Sequence, residues 1–501
     1  MSENKSRPNY RRQAILLTIS LSIFRLFMGS LTGLGDSEAY YWNWSQHLSL
    51  SYYDHPPMVA YIMAIFTKIG GNSVFFVRLG SAIFFILTMA MFYLISQEIF
   101  DSPRVGFLSI VIFNIVPVFA IGALQMVPDI PCGLFWLISI YLFYKIIEED
   151  SPKLWYPFGV SLGLGLLSKY FAILLIPSIV LVCLGKDYRH WFRRKEPYLA
   201  MLIALLVFSP VIIWNYRLGF PSFTFHLINR HSTPPFSFFN ALQFTIGQFL
   251  YMSPLLLAGL LYALYLSYKK WHRERDRRYF FLFWTSFPTL LFFYVVSLWT
   301  REAEPHWPAF GYFTAIIAAS ALIDGYLEKG AWNRGKILRV YSFMAASLAI
   351  FMTLFFYLQI FYPVWKPRVA KYDITNELWG WDLVGERITK SYNALSSEGE
   401  AFVISNHWVL AGQIGFATEN KIPNYKVNKQ LDQFNFWQDN NSLIGKNLLY
   451  VGDNRFTDDP AELYRCDKIV REPDLFIYRK GNPNWARYFT FYRCYGYNGL
   501  R

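Results

Sequence analysis

Apolar runs of roughly 15 to 25 residues recur along the first 361 positions, and they constrain this chain more than any other feature. About 20 such residues suffice to cross a bilayer as a helix, because a helix satisfies its own backbone hydrogen bonds where no water is present. Hydrophobic residues make up 54% of the 501 positions and charged residues only 16%. That is too little charge for a soluble protein of this size, so the expected class is a polytopic α-helical membrane protein. About eleven spans are predicted, at 13–31, 74–97, 105–124, 130–144, 154–167, 171–184, 198–215, 241–266, 279–298, 308–323 and 338–361.

Charge sets the expected orientation. Roughly 22 Lys and Arg fall at the N-terminus and in the connections after even-numbered spans, against about 5 in the opposite loops. The N-terminus is therefore expected in the cytoplasm. An odd number of spans then puts the tail outside the membrane. Two domains follow, a transmembrane domain over 1–361 and a soluble outer domain over 362–501. This topology accounts for most of the net charge of +13, and no nucleic-acid partner is needed to explain it. The first apolar run follows basic residues but lacks a small-residue cleavage site, so it reads as a retained anchor.

In the tail, the periodicity predicts helices over 378–392 and 408–416, and strands over 401–405, 447–451 and 474–478, a small α/β unit. Cys132 and Cys183 fall within spans as packing residues, whereas Cys466 and Cys494 lie in the tail, where an oxidising compartment permits them to pair. The spacing of the four cysteines gives no metal pattern. No internal repeat is visible, which counts against a transporter built from repeated halves.

With this topology the outer face collects the ionisable residues that charge bias does not explain, and such residues near membrane depth tend to be kept for function. The first outer loop carries Asp36, Glu38, Tyr40, Tyr41, Asp54 and His55. Asp36 and Glu38 read either as caps of a short interfacial helix or as a general base and its partner; spacing leaves both open. Asp54 and His55 are either a turn before Pro56-Pro57 or contacts to a substrate. Lys169 is either a snorkelling lysine or an anion ligand. Arg25, inside the first span, must meet a carboxylate, backbone carbonyls or a phosphate. Asp129, Glu304 and His306 join the same face. A helix there places His226 and Arg230 on one side, with His231 adjacent, as a phosphate or divalent-metal site. His226 and His55 are metal candidates, and the ligand count stays too small to assign a metal.

The run Asp36-Ser37-Glu38-Ala39-Tyr40-Tyr41-Trp42, with Tyr52-Tyr53-Asp54-His55-Pro56-Pro57 after it, resembles the first outer loop of bacterial GT-C glycosyltransferases. These are the dolichyl-phosphate-mannose-protein mannosyltransferase-like proteins, which include the lipid A aminoarabinose transferases. Val127-Pro128-Asp129, Ser168-Lys169-Tyr170, Asn229-Arg230-His231, Pro305-His306-Trp307-Pro308, Gly380-Trp381-Asp382 and Phe436-Trp437 extend the likeness over nearly the whole chain. The resemblance implies a GT-C fold and inverting transfer of a sugar from a polyprenyl-phosphate carrier to an envelope acceptor, such as lipid A, lipopolysaccharide core or another glycan. Asp36 or Glu38 is the implied base. Lys169, Arg230 and Arg25 are the implied phosphate ligands, and Tyr40, Tyr41, Asp54, His55, Asp129, His231, Glu304 and His306 the implied substrate contacts. Two departures stand out. Ser37 occupies a position where the family carries an acid, and Asp54-His55 stands where the aminoarabinose transferases carry an acid and a lysine. The implied partners are membrane lipids, the lipid-linked donor and the acceptor, with the chain acting as a monomer and without a certain cofactor. Protein O-mannosylation and lipid or solute transport are the competing readings.

Overall fold

The computed structural model describes residues 8–227, 236–300, 303–328, 332–482 and 484–501. Seven of the described helices are long and apolar enough to cross a membrane: Tyr10–Ser30, Val74–Phe100, Asp129–Glu148, Glu196–Arg217, Arg277–Ser297, Trp307–Leu327 and Lys336–Phe361. An eighth arises if Phe238–Met252 and Pro254–Glu274 form one span, although the two are bent by 102° at their junction. There Ser253 takes a left-handed φ of 65° and Pro254 lacks the N–H that would continue the ladder.

The other three expected spans, at 105–124, 154–167 and 171–184, give helices too short to cross, and local chemistry sets their ends. The run at 105–124 divides into Pro103–Ile115 and Pro117–Gly122, because Val116 is extended and Pro117 starts anew. Trp155–Ser168 stops where Lys169 turns extended, before a 3₁₀ turn and the short helix Leu175–Cys183.

Cα packing groups the chain into two compact units. The first holds the chain up to Leu26, Ser81–Leu124 and Pro128–Leu354. Its core is a dense aromatic cluster in which Phe92, Phe113, Phe119 and Phe313 pack with ring centroids 4.5–5.8 Å apart. Large apolar side chains such as Leu202, Leu205 and Leu206 remain on the outside of its helices, the pattern of a surface that faces lipid.

The second unit holds Phe27–Gly80, Gln125–Val127 and Phe355–Arg501. Composition draws a boundary near position 361, whereas packing joins the first-loop segment to the tail. Five strands form one mixed sheet: β1 (Ala401–Ser405), β2 (Asn424–Lys426), β3 (Asn447–Asp453), β4 (Tyr464–Tyr478) and β5 (Trp485–Leu500), in the order β2-β1-β3-β5-β4. β1 runs parallel to both β2 and β3, and β5 pairs antiparallel with β3 and β4. Helices Trp381–Ser396 and Trp408–Ala417 cover the parallel half. A disulfide joins Cys466 on β4 to Cys494 on β5, with Cα atoms 5.7 Å apart, and Cys132 and Cys183 are buried free thiols.

Candidate active site

The first-loop motif folds as a helix, Asp36–Gln46, with Gly35 as its N-cap. Glu38, at the third position, folds back to accept from the Gly35 N–H at 3.3 Å, the half of a capping box that a glycine N-cap allows. Its other partners leave it nothing to spare. Arg78 donates through Nε at 3.0 and 3.1 Å and through Nη2 at 2.6 Å, and the Met126 backbone N–H donates at 2.9 Å. Arg78 also reaches the Thr32 hydroxyl and the Gly29 and Gly33 carbonyls. Both side chains are buried, and this pair clamps the helix to the start of the Val74–Phe100 helix.

Asp36, two residues earlier, is 12% exposed. It accepts from Arg455 and, at 3.1 Å, from the Gln413 amide, which also donates to the Leu34 carbonyl at 2.9 Å. Behind Arg455 lies Asp453, at the end of β3. It accepts from Arg455 Nε at 2.8 Å and from Arg487 Nη2 at 2.7 Å. Arg487 is fully buried between the rings of Trp381 and Phe489, at 4.3 and 4.5 Å. Glu377 completes the group within electrostatic reach of Asp36. Burial, reinforced by the charge of Asp36, pushes the Glu377 carboxyl up to about 8. Burial also opposes ionisation of Asp453, but Arg455 and Arg487 hold it below the usual carboxylate range. With Glu377 protonated, two carboxylates face two guanidinium groups. The network sits where β3 ends, the end of parallel strands at which α/β sheets commonly present their polar groups.

The aromatic residues of the motif build the wall of this helix. The Tyr40 hydroxyl donates to Asp54 at 2.8 Å and accepts from the Gln433 N–H at 2.8 Å. Burial, then the charge of Asp54, raises its pKa well above the ordinary value, so it stays a donor. Tyr40 packs on Trp408 at 4.8 Å and on Phe434 at 5.7 Å. Tyr41 packs on Trp44 at 4.8 Å and on His55 at 6.0 Å. His407 lends Nδ1 to the Val409 N–H at 3.3 Å and stacks on Phe456 at 3.8 Å. Burial and then Arg455 press its pKa to about 4, which keeps the cap neutral.

Other expected residues lie in the membrane-spanning unit. Lys169 Nζ donates to both carboxylate oxygens of Asp129, at 2.7 and 2.8 Å, and lies 4.9 Å from the Phe171 ring centroid. His306 is within electrostatic reach of the same Asp129. Arg25 meets the Asn114 side-chain carbonyl at 2.7 Å and lies over the Phe85 ring at 4.7 Å. Its Nη2 also reaches the Asn114 backbone carbonyl at 3.5 Å, so a backbone carbonyl, one of the three groups the sequence suggested, is among its partners. His226 packs against Tyr170 at 5.1 Å, and Glu304 precedes the turn into Trp307–Gly311. Arg230 and His231 lie outside the described residues. Among the described residues no three His, Cys, Asp or Glu side chains gather as a metal site, so His226 and His55 have no such set around them.

Arg78, Arg455, Asp453, Arg487, Gln413 and Glu377 escaped the sequence reading. Arg78 carried a readable signal, an arginine inside an apolar run, the same feature that singled out Arg25. The tail residues had none, since a charged residue in a soluble segment is ordinary until its burial is known.

A family model described as dolichyl-phosphate-mannose-protein mannosyltransferase matches residues 54–214. The chain is 23% identical over 365 residues to the lipid A galacturonosyltransferase RgtD of Rhizobium johnstonii, covering 72% of this chain and 75% of that one. It is likewise 23% identical over 413 residues to an undecaprenyl phosphate-alpha-4-amino-4-deoxy-L-arabinose arabinosyl transferase of Erwinia tasmaniensis, covering 75% and 72% of the two chains. Among solved structures, ArnT from Cupriavidus metallidurans in the apo state superposes with a TM-score of 0.65 at 14% identity, over 96% of this chain and 98% of the other. The same protein bound to undecaprenyl phosphate also gives 0.65, at 13% identity and over 95% and 97%. The fold is that of ArnT, a GT-C arrangement of membrane helices with a small C-terminal sheet.

Proposed function

We propose that this chain, a multi-pass bacterial GT-C protein related to the lipid A glycosyltransferases, moves a sugar from a polyprenyl-phosphate carrier to a lipid A or related envelope acceptor on the outer face of the inner membrane. The observation that carries the assignment of the base is the division of labour between the two motif acids. Glu38 is fully buried and bonded to Arg78 and two backbone N–H groups, whereas Asp36 is the motif acid that keeps an exposed edge.

In this reading the acceptor hydroxyl gives its proton to the Asp36 carboxylate as its oxygen attacks the anomeric carbon. The bond from that carbon to the phosphate oxygen breaks on the opposite face, so the configuration inverts and the polyprenyl phosphate leaves with the electron pair. Charge grows on that phosphate, and cations aimed at it lower the barrier. Lys169 suits the task because its ammonium carries three N–H donors and the bonds to Asp129 use two. Arg230 is assigned to the same phosphate on the resemblance of its motif. No step is routed through a metal. The orientation follows the charge bias, with the N-terminus cytoplasmic and the sheet-bearing tail periplasmic, and the disulfide in that tail suits an oxidising compartment.

The test is transfer of label from a radiolabelled polyprenyl-phosphate sugar to an envelope extract by the reconstituted protein. Asp36→Asn is expected to lower the rate by about 10²–10⁴, the usual share of a general base, while the protein stays folded. Label that crosses the bilayer without changing its covalent partner overturns the reading in favour of transport. Label that appears in polypeptide redirects it to protein glycosylation.

A further inference from the structure

We propose that residues 362–374, which follow the last membrane helix, form an interfacial anchor that binds the headgroup phosphates of anionic phospholipids in the surrounding bilayer. The last span ends at Phe361, so the next residues emerge at the membrane surface. In this stretch Tyr362, Val364, Trp365, Val369, Tyr372 and Ile374 are each 46–71% exposed. Six large apolar side chains open to solvent within thirteen positions are costly beside water. They are at home at the boundary between headgroups and acyl chains, where Trp and Tyr concentrate.

The charges of the stretch point the same way. Lys366, Arg368 and Lys371 are exposed. The one acid, Asp373, is buried and turned inward, accepting from the Thr375 N–H at 3.0 Å, the Gln359 amide at 2.7 Å and Arg479 at 3.1 Å. The surface left outside is therefore apolar and purely cationic, a composition that fits anionic lipid. A cavity of about 240 Å³ opens beside it, with Lys366, Arg368, Asp373, Asn376 and Trp485 in its lining, the Asp373 carboxylate there being already engaged by Gln359, Thr375 and Arg479. Its donors suit a phosphate, with the Arg368 guanidinium able to grip two oxygens at once. A second copy of the chain is the other conceivable occupant of an apolar face, but three exposed like charges disfavour meeting an identical surface.

The anchor is independent of the catalytic reading and is tested without sugar transfer. Tyr372→Cys is labelled with a fluorophore in the otherwise intact protein, whose own cysteines are buried or disulfide-bonded. The labelled protein is placed in nanodiscs containing a nitroxide-headgroup lipid, either anionic or zwitterionic. Lys421→Cys, at another exposed site, serves as the control. The anionic quencher is expected to quench position 372 more than position 421, and more than the zwitterionic quencher does. Replacing Lys366, Arg368 and Lys371 by alanine should erode that preference by roughly fivefold per cation removed. Equal quenching at the two positions, or no difference between the two lipids, overturns the proposal. So does loss of quenching together with disulfide cross-links between copies at position 372 of the unlabelled Tyr372→Cys variant.

Discussion

Replacing Glu38 by glutamine leaves the Arg78 guanidinium buried without its counter-charge, and breaking such a pair costs about 3–5 kcal/mol. The expected outcome is a protein with a lower melting temperature and poor recovery from membranes, in contrast to Asp36→Asn, where Arg455 keeps Asp453 as its counter-charge, so a smaller loss of stability is expected beside the loss of transfer. Glu377 gives a second prediction, in pH. The folded chain holds this carboxyl at about 8 against an ordinary 4.5, because of burial and the neighbouring Asp36. Between those values the folded state keeps a proton that the unfolded chain has released, so stability is complete below the lower value and is lost as pH rises through the upper one. Asp36, Arg455 and Arg487 are the charged groups that act on Glu377. Thermal melts of the wild type should therefore fall as pH is raised through the neutral range, and Glu377→Gln should flatten that slope. A variant with an unchanged slope would show that Glu377 does not hold the proton. The motif acids were legible in the sequence by type. Their separate tasks were not, because Arg78, Arg455 and Glu377 reach them from 40, 419 and more than 300 residues away.

Helix Asp36–Gln46 lies against helix Trp408–Ala417, and glycine lets them approach. A Cβ at Gly412 would stand 3.2 Å from the backbone of Tyr40, and one at Gly415 would stand 2.3 Å from the Asn43 side-chain oxygen. Asn43 in turn donates to the Gly412 carbonyl at 2.8 Å. Gly412→Leu should push the helices apart at a cost of about 1–3 kcal/mol, as overpacking does. Faster proteolysis of the tail, together with lost transfer, is the expected readout; a tail as resistant as the wild type would argue against the close approach. The tail helices and three strands were visible in the sequence, because apolar periodicity writes them locally. β1 was legible to its ends, at Ala401–Ser405. β5 was not, although it pairs on both sides, since its aromatic run Trp485–Leu500 carries glycines and polar residues that blur the pattern. The spans showed the opposite fault. Apolar content alone overstated the run at 105–124, where the extended Val116 and Pro117 divide the helix, whereas the run at 171–184 is helical over Tyr170–Cys183, too short to cross.

At the scale of the molecule, the disulfide between β4 and β5 closes a loop of 28 positions. Replacing Cys466 and Cys494 by serine should cost about 2–4 kcal/mol, read as a lower urea midpoint for loss of the tail's fold. Treatment of the wild type with reductant should give the same shift, and an unchanged midpoint in both would deny the bond a stabilising role. The sequence by itself determined the membrane class, the approximate spans, the α/β character of the tail and the family likeness. All of these follow from composition, local periodicity and short motifs, which are properties of neighbours along the chain. Only the tertiary structure decided that the first-loop helix belongs to the same compact unit as the tail, and that Glu38 is spent on Arg78 while Asp36 faces Arg455 and Glu377. The physical reason is burial: a carboxylate's role depends on which donors share its low-dielectric surroundings, and those donors come from segments that only folding brings together.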